Sequence, residues 1–261
     1  MSTAPTAPTV KENPSFEILY WVGCAAAYDR RAQRVARALV KLLRHAKVNF
    51  AILGTEEKCT GDSARRLGDE FLFQELATAN IETLAKYNVK RIVAHCPHCV
   101  NALLRDYSQF GGNYEVLHHT QLLAQLIKDG RLPVDATTAA GVSGTVTYHD
   151  PCYLARVNGI HEQPREVLGA ALGAKAQLKE MGRCRDKTFC CGAGGGRMWF
   201  EEDPKKRVST ERAKEALATG AQTVATGCPF CLTMMTDGAA AHGSEARVAD
   251  IAELLCEKLG L

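Results

Sequence analysis

The chain has 261 residues, 46% of them hydrophobic, and a formal net charge of +3. That is enough apolar material for one large domain or two ordinary ones without disulfides to hold them. The mild charge and the lack of a dense Lys/Arg stripe exclude a nucleic-acid binder, and no apolar run approaches the roughly 18 residues that span a bilayer.

Residues 1–14 are rich in Pro, Thr and Ala. They lack the basic start and apolar core of a secretory signal and read as a disordered tail. The expected location is cytoplasmic, where thiols stay reduced, so the 11 cysteines read as metal ligands rather than a disulfide framework. A first strand-like run, Ile18 to Gly23, leads into Cys24, and an amphipathic helix is predicted over Asp29–Ala46 with Val35, Leu39, Leu42 and Leu43 on one side. Cys59 follows, then a helix over Ser63–Lys86. A second strand, Arg91 to His95, leads into Cys96-Pro97-His98-Cys99, and Val116–His119 precedes a helix with Leu122 and Leu123.

The pattern then repeats. Thr145 to His149 leads through Asp150-Pro151 into Cys152, Cys190-Cys191 stand where Cys59 stands, and a helix is predicted over Pro204–Thr219. Thr223 to Gly227 leads into Cys228-Pro229-Phe230-Cys231, and Val248–Ile251 precedes a helix with Leu254 and Leu255. Cys59 and Cys96 are 37 positions apart, as are Cys191 and Cys228. Alternating strands and helices predict an α/β fold. The expectation is a first lobe over 15–134, a linker over 135–144 and a second lobe over 145–261. The lobes would be related by an approximate twofold, each with a small, mostly parallel sheet and a cysteine site at the strand C-terminal ends.

Soft thiolates grouped in this way suit an iron–sulfur cluster or zinc. The first set is Cys24, Cys59, Cys96 and Cys99; the second is Cys152, Cys190, Cys191, Cys228 and Cys231. Proline stiffens both Cys-Pro-x-Cys turns. Cys190-Cys191 run into Gly192-Ala193-Gly194-Gly195-Gly196, a segment whose backbone can approach a bulky inorganic core and offer N–H groups to sulfur. Setting Lys58-Cys59-Thr60 against Cys190-Cys191-Gly192 places the difference between the sites at Lys58. Four thiolates suit a cubane or zinc; five imply a larger or open cluster, or a spare thiol.

Taken together, Cys152, Cys190, Cys191, Gly192, Cys228 and Cys231, with the His149-Asp150-Pro151 lead-in, resemble the cysteine-rich CCG domain. This is the domain of the B-type and D-type subunits of heterodisulfide reductase and of related iron–sulfur subunits of oxidoreductases. The resemblance covers roughly residues 16–259. Glu57 to Asp62 and Cys228 to Gly238 look closest to the C-terminal halves of membrane-associated iron–sulfur oxidoreductases linked to electron-transfer flavoprotein. The resemblance implies a noncubane 4Fe-4S cluster on the second set and a 4Fe-4S cubane or zinc on the first. It also implies partners: a ferredoxin-like iron–sulfur subunit, a flavoprotein such as electron-transfer flavoprotein, or a membrane quinone-reducing subunit. With no ferredoxin-type cysteine run, another polypeptide or a longer architecture would feed the electrons, and any membrane association would be peripheral, through partners.

The expected function is therefore an iron–sulfur electron-transfer subunit of a heterodisulfide-reductase-like oxidoreductase, active with partner subunits and passing electrons to or from a disulfide or a quinone-side partner. The alternative is a zinc-stabilised structural or assembly protein without redox turnover. Cys256 reads as an ordinary helix cysteine. The role of Cys184 is left open by the sequence; a spare or auxiliary thiol beside the cluster loop, its pKa lowered by the flanking Arg183 and Arg185, is the minor alternative. His95 and His98 read as outer-sphere or surface groups, His149 as either a donor to cluster sulfur or a structural hydrogen bond, His118-His119 as a strand end, and Lys205-Lys206-Arg207 as a solvated face.

Overall fold

Short β-branched and aromatic runs with both faces covered form buried parallel strands, and that is how each half of this chain starts. The structure is a computed structural model, described over residues 6–135, 140–203 and 206–261. In the first half, β1 (Ile18–Trp21), β2 (Phe50–Ala51), β3 (Arg91–Ala94) and β4 (Glu115–His118) make one sheet in the order β2-β1-β3-β4. The second half repeats it with β5 (Val142–His149), β6 (Leu172–Leu178), β7 (Thr223–Thr226) and β8 (Arg247–Asp250), in the order β6-β5-β7-β8. Every pairing is parallel. The chain forms two compact units that divide between Leu132 and Pro133.

The order places a topological switch point between β1 and β3, and another between β5 and β7. The connections after these strands run to opposite sides, leaving a crevice at their carboxyl ends. The cysteines gather there. Helix α1 (Gly23–Tyr28) carries Cys24, and α2 (Arg30–His45) is capped by Asp29, whose carboxylate accepts from Ala32 N–H at 2.7 Å. The α2 stripe of Val35, Leu39, Leu42 and Leu43 is fully buried, each such side chain contributing about 1.5–3 kcal/mol.

The helix expected over Ser63–Lys86 is two helices, α3 (Asp62–Leu67) and α4 (Glu70–Lys86). Gly68, at φ +92°, ends the first, and the Asp69 carboxylate caps the second by accepting from Leu72 N–H. Next come α5 (Pro97–Asn101), α6 (His119–Lys128), α7 (Glu162–Ala171), α8 (Val208–Leu217), α9 (Pro229–Ala241) and α10 (Ile251–Leu259). Pro97 and Pro229 take the first position of α5 and α9, where a missing N–H costs nothing and the fixed φ starts the turn. The start expected for α8 at Pro204 lies partly outside the described residues, and the helix itself begins at Val208.

Two boundaries differ from expectation. The described part of the segment read as a disordered tail is packed: Thr9 bridges to Ile52, and Val10 is buried against the first sheet's edge. The second lobe begins before Thr145, because Val142 already pairs with Leu172. Residues 136–139 of the expected linker lie outside the described residues. Among the described residues no helix is long and apolar enough to cross a membrane.

Candidate metal centres

In the first lobe, β1 and β3 deliver Cys24 and Cys96 to the switch point, α5 adds Cys99 one turn on, and the loop before α3 brings Cys59. Cys24 Sγ and Cys59 Sγ are 3.9 Å apart. The Cys96 and Cys99 thiols interact with each other and with the charge of that pair. All four cysteines expected in the first set therefore share one site.

A buried framework aims the Cys59 loop. Asn80 on α4 donates to Cys59 O at 3.0 Å and accepts from Lys58 N–H at 3.2 Å, and the Tyr107 hydroxyl donates to Thr60 O at 3.2 Å. Glu57 ties the same loop to the end of β1, its carboxylate accepting from Val22 N–H at 3.0 Å and Gly23 N–H at 2.6 Å. Burial pushes Glu57 up to about 7, against those two donors and with help from the Cys59 charge.

In the second lobe, Cys152 Sγ stands 3.9 Å from Cys190 Sγ, and Cys191 Sγ stands 3.3 Å from Cys231 Sγ. Cys228 contacts Cys231 and feels Cys152. All five expected ligands converge. Asp150 organises the approach to them. Its carboxylate takes two hydrogen bonds from Arg165, at 2.8 and 2.9 Å, and one from Arg185 N–H, while its carbonyl accepts from Thr188. The strand leading to Cys152 is thereby locked to the loop leading to Cys190.

The two sites correspond differently from the spacing-based alignment. Gly192 N–H donates to Cys190 Sγ at 3.2 Å, and Gly61 N–H donates to Cys59 Sγ at 3.5 Å. Both glycines have positive φ, +93° and +81°, which turns the N–H back onto the sulfur two residues earlier. Cys59 also pairs with Cys24 as Cys190 pairs with Cys152. Cys59 is therefore the counterpart of Cys190, and Thr60 stands where Cys191 stands, its Oγ1 4.0 Å from Cys99 Sγ. The first site departs from the five-thiolate pattern at Thr60 and not at Lys58. Equal 37-residue spacing hid this, because the second-lobe loop is one residue longer between the equivalent cysteines.

The thiols divide into lowered and raised groups in both sites. Cys59 is pulled down to about 7, chiefly by its hydrogen bond with Cys24 and then by Gly61 N–H. Cys190 is lowered more strongly by Cys152, Cys191 and Gly192 N–H. Their partners Cys24 and Cys152 are raised, first by those same hydrogen bonds and then by burial. Cys191 is pushed up to about 12 by Cys190. A site that holds an anionic sulfur among buried thiols suits a cation that ionises the rest.

His95, His98, His118, His119 and His149 are all buried, not surface groups. His95 Nδ1 lies 3.0 Å from the Tyr20 hydroxyl, and His98 Nδ1 lies 2.8 Å from Asp62. His118 and His119 are buried against each other, with ring nitrogens 3.2 Å apart, and burial holds His119 down at about 3. His149 ends β5 and accepts at Nδ1 from Arg212 Nε at 3.0 Å. Arg212 itself was not foreseen, although its place at the 3–4 spacing of Ser209, Ala213 and Ala216 marks it as inward-facing. Cys256 is buried on α10, as expected. The Cys184 thiol is raised by burial, against the lowered value expected from its arginines, because Arg183 turns to Glu215 and Phe189.

Two α/β lobes, each with a parallel sheet and a group of cysteines gathered at its switch point, define a duplicated cysteine-rich protein. The chain belongs to the CCG cysteine-rich domain family, which matches residues 18–104 and again 146–236. It is 47% identical over 97% of its length to the "Probable iron-sulfur-binding oxidoreductase FadF" of Bacillus subtilis and 46% identical over 94% to the "EtfAB:quinone oxidoreductase" of Syntrophomonas wolfei. It is 36% identical over 97% to the D-type subunit of the dihydromethanophenazine:CoB–CoM heterodisulfide reductase of Methanosarcina barkeri. The chain spans 36%, 35% and 62% of those proteins.

Proposed function

We propose that the chain is an iron–sulfur electron-transfer unit of a heterodisulfide-reductase-like oxidoreductase. The observation that supports this best is the convergence of five cysteines on the second-lobe crevice, with Gly192 N–H turned onto Cys190. Five thiolates exceed what zinc or a cubane takes, and they fit a noncubane 4Fe-4S cluster held by Cys152, Cys190, Cys191, Cys228 and Cys231. Such a cluster supplies one-electron oxidation and reduction. The four thiolates of the first lobe fit a 4Fe-4S cubane or a zinc ion.

The protein's own contribution is to hold, insulate and tune. Cys191, Cys228 and Cys231 are buried while Cys152 and Cys190 are half-buried, so one side of the site stays open to a reacting group. The N–H of Gly192 stabilises charge on Cys190 sulfur. The Asp150–Arg165 pair fixes the two loops so that the ligands need not reorganise, which keeps electron transfer cheap.

The names of the relatives support a flavoprotein or ferredoxin-like iron–sulfur subunit on one side and a quinone-side partner or a disulfide on the other. Anaerobic mixing with reduced electron-transfer flavoprotein, followed by the visible absorbance of the centre, tests the assignment. Bleaching in the wild type, reduced in Cys190→Ser by the second centre's share, is the expected result. A wild-type chain that accepts no electrons from flavoprotein, ferredoxin or dithionite would contradict it.

A further inference from the structure

His149 and Trp21 hold the same position in the two sheets. Each ends the central strand just before the cysteine loop, His149 opposite Thr226 and Trp21 opposite Ala94. Both side chains are fully buried. Each has one ring nitrogen, His149 Nε2 and Trp21 Nε1, without a hydrogen-bond partner among the described residues. A buried polar group left unpaired forfeits its hydration with nothing in return. Finding this at both equivalent positions points to an acceptor supplied by what the cysteines bind.

The chemistry of the His149 ring settles which role its nitrogen has. A guanidinium only donates, so the Arg212 Nε–H on Nδ1 at 3.0 Å requires Nδ1 to be bare. A neutral imidazole then carries its proton on Nε2. A ring nitrogen of His149 lies within 4.8 Å of the Cys191 and Cys231 sulfurs, a grouping that resembles a ligand set. Ligation through Nε2 would put the proton on Nδ1, where Arg212 already points. An indole at the matching place in the first lobe can only donate, which agrees with a donor and not with a ligand.

Resting on the metal-centre reading above, we infer that His149 is a fixed Nε2–H donor to sulfur in the second centre, with Arg212 as the positioning residue that sets its tautomer. Arg212 is fully buried, and its charge is matched by Glu215 at 2.7 Å while a second N–H holds Arg183 O at 2.9 Å. The guanidinium therefore cannot swing away without breaking its other bonds. N–H donors to cluster sulfur stabilise the reduced, more negative state and raise the potential.

Two readouts test the inference. Long-range 1H–15N spectra of histidine-labelled protein as purified are expected to show the His149 proton on Nε2, and Arg212→Met is expected to give a mixture of tautomers. A proton on Nδ1 in the wild type overturns the inference whatever metal is bound. If the preparation carries only zinc, the electron-transfer reading fails while this tautomer measurement still decides the matter. In the iron–sulfur form, His149→Phe is expected to keep its iron and shift the second centre to a more negative midpoint potential, with His149→Gln recovering part of the shift. An unchanged potential in His149→Phe, or a strong directly bonded 15N coupling in pulsed electron paramagnetic resonance that vanishes together with the iron, overturns it.

Discussion

Thr60 faces Cys99 across the first site as Cys191 faces Cys231 across the second, at 4.0 Å and 3.3 Å between Thr60 Oγ1 or Cys191 Sγ and the facing sulfur. The difference between a four-thiolate and a five-thiolate centre thus lies in one side chain. The exchange Cys191→Thr should leave the second lobe folded and metal-bound but replace its reduced-state paramagnetic spectrum by that of a four-thiolate centre. The reciprocal Thr60→Cys should alter the first centre alone. Identical spectra and metal content before and after both exchanges would show that the fifth thiol is not a ligand.

Gly192 is held at φ +93°, and an added Cβ would lie 3.0 Å from Val208 Cβ. The left-handed conformation alone costs a residue with a side chain about 1–2 kcal/mol. Gly192→Ala should therefore lower both the denaturation midpoint and the iron bound per chain, since the loop that aims N–H at Cys190 must shift. Gly195→Ala is the control, because its Cβ would meet nothing within 4 Å, and it should retain full metal content despite the same backbone penalty.

The Asp150–Arg165 pair is buried at both ends. Removing one partner of such a pair leaves an uncompensated charge and costs about 3–5 kcal/mol. Arg165→Met should destabilise the second lobe by that order in urea unfolding. Asp150→Asn should cost less, because the amide oxygen still accepts from Arg185 N–H.

His119 supplies a pH prediction. Burial lowers its folded-state value from the ordinary 6.5 to about 3, so between those pH values the unfolded chain binds the extra proton. Stability is fully present above pH 6.5 and falls as pH drops toward 3, by up to about 1.4 kcal/mol per unit. His118 and His95 pack against the ring. The variant His119→Gln should flatten this slope in stability curves measured from pH 7 to 4. An unchanged slope would mean that the ring is protonated in the folded state.

Much of this architecture was legible in the chain. The β-branched runs ending at cysteines gave the central strands, and the repeated cysteine order gave the two groups of cysteines that converge. The edge strands β2 and β6 were missed because Phe50–Ala51 is only two residues long and Leu172–Leu178 has only small and polar residues between its end leucines. The break at Gly68 was hidden within a continuous helical periodicity on both sides. The counterpart of Cys191 was misplaced because sequence spacing cannot see which sulfur a glycine N–H turns onto. Arg165 and Arg212 escaped notice because a buried arginine is recognised by its partners, which come from distant segments.

The most direct test of the central claim is iron, acid-labile sulfide and zinc per chain on anaerobically purified protein, with electron paramagnetic resonance before and after dithionite. The account predicts at least four irons and matching sulfide, with a reduced-state signal that changes in Cys190→Ser. Zinc alone, with no iron taken up on anaerobic reconstitution, would contradict it.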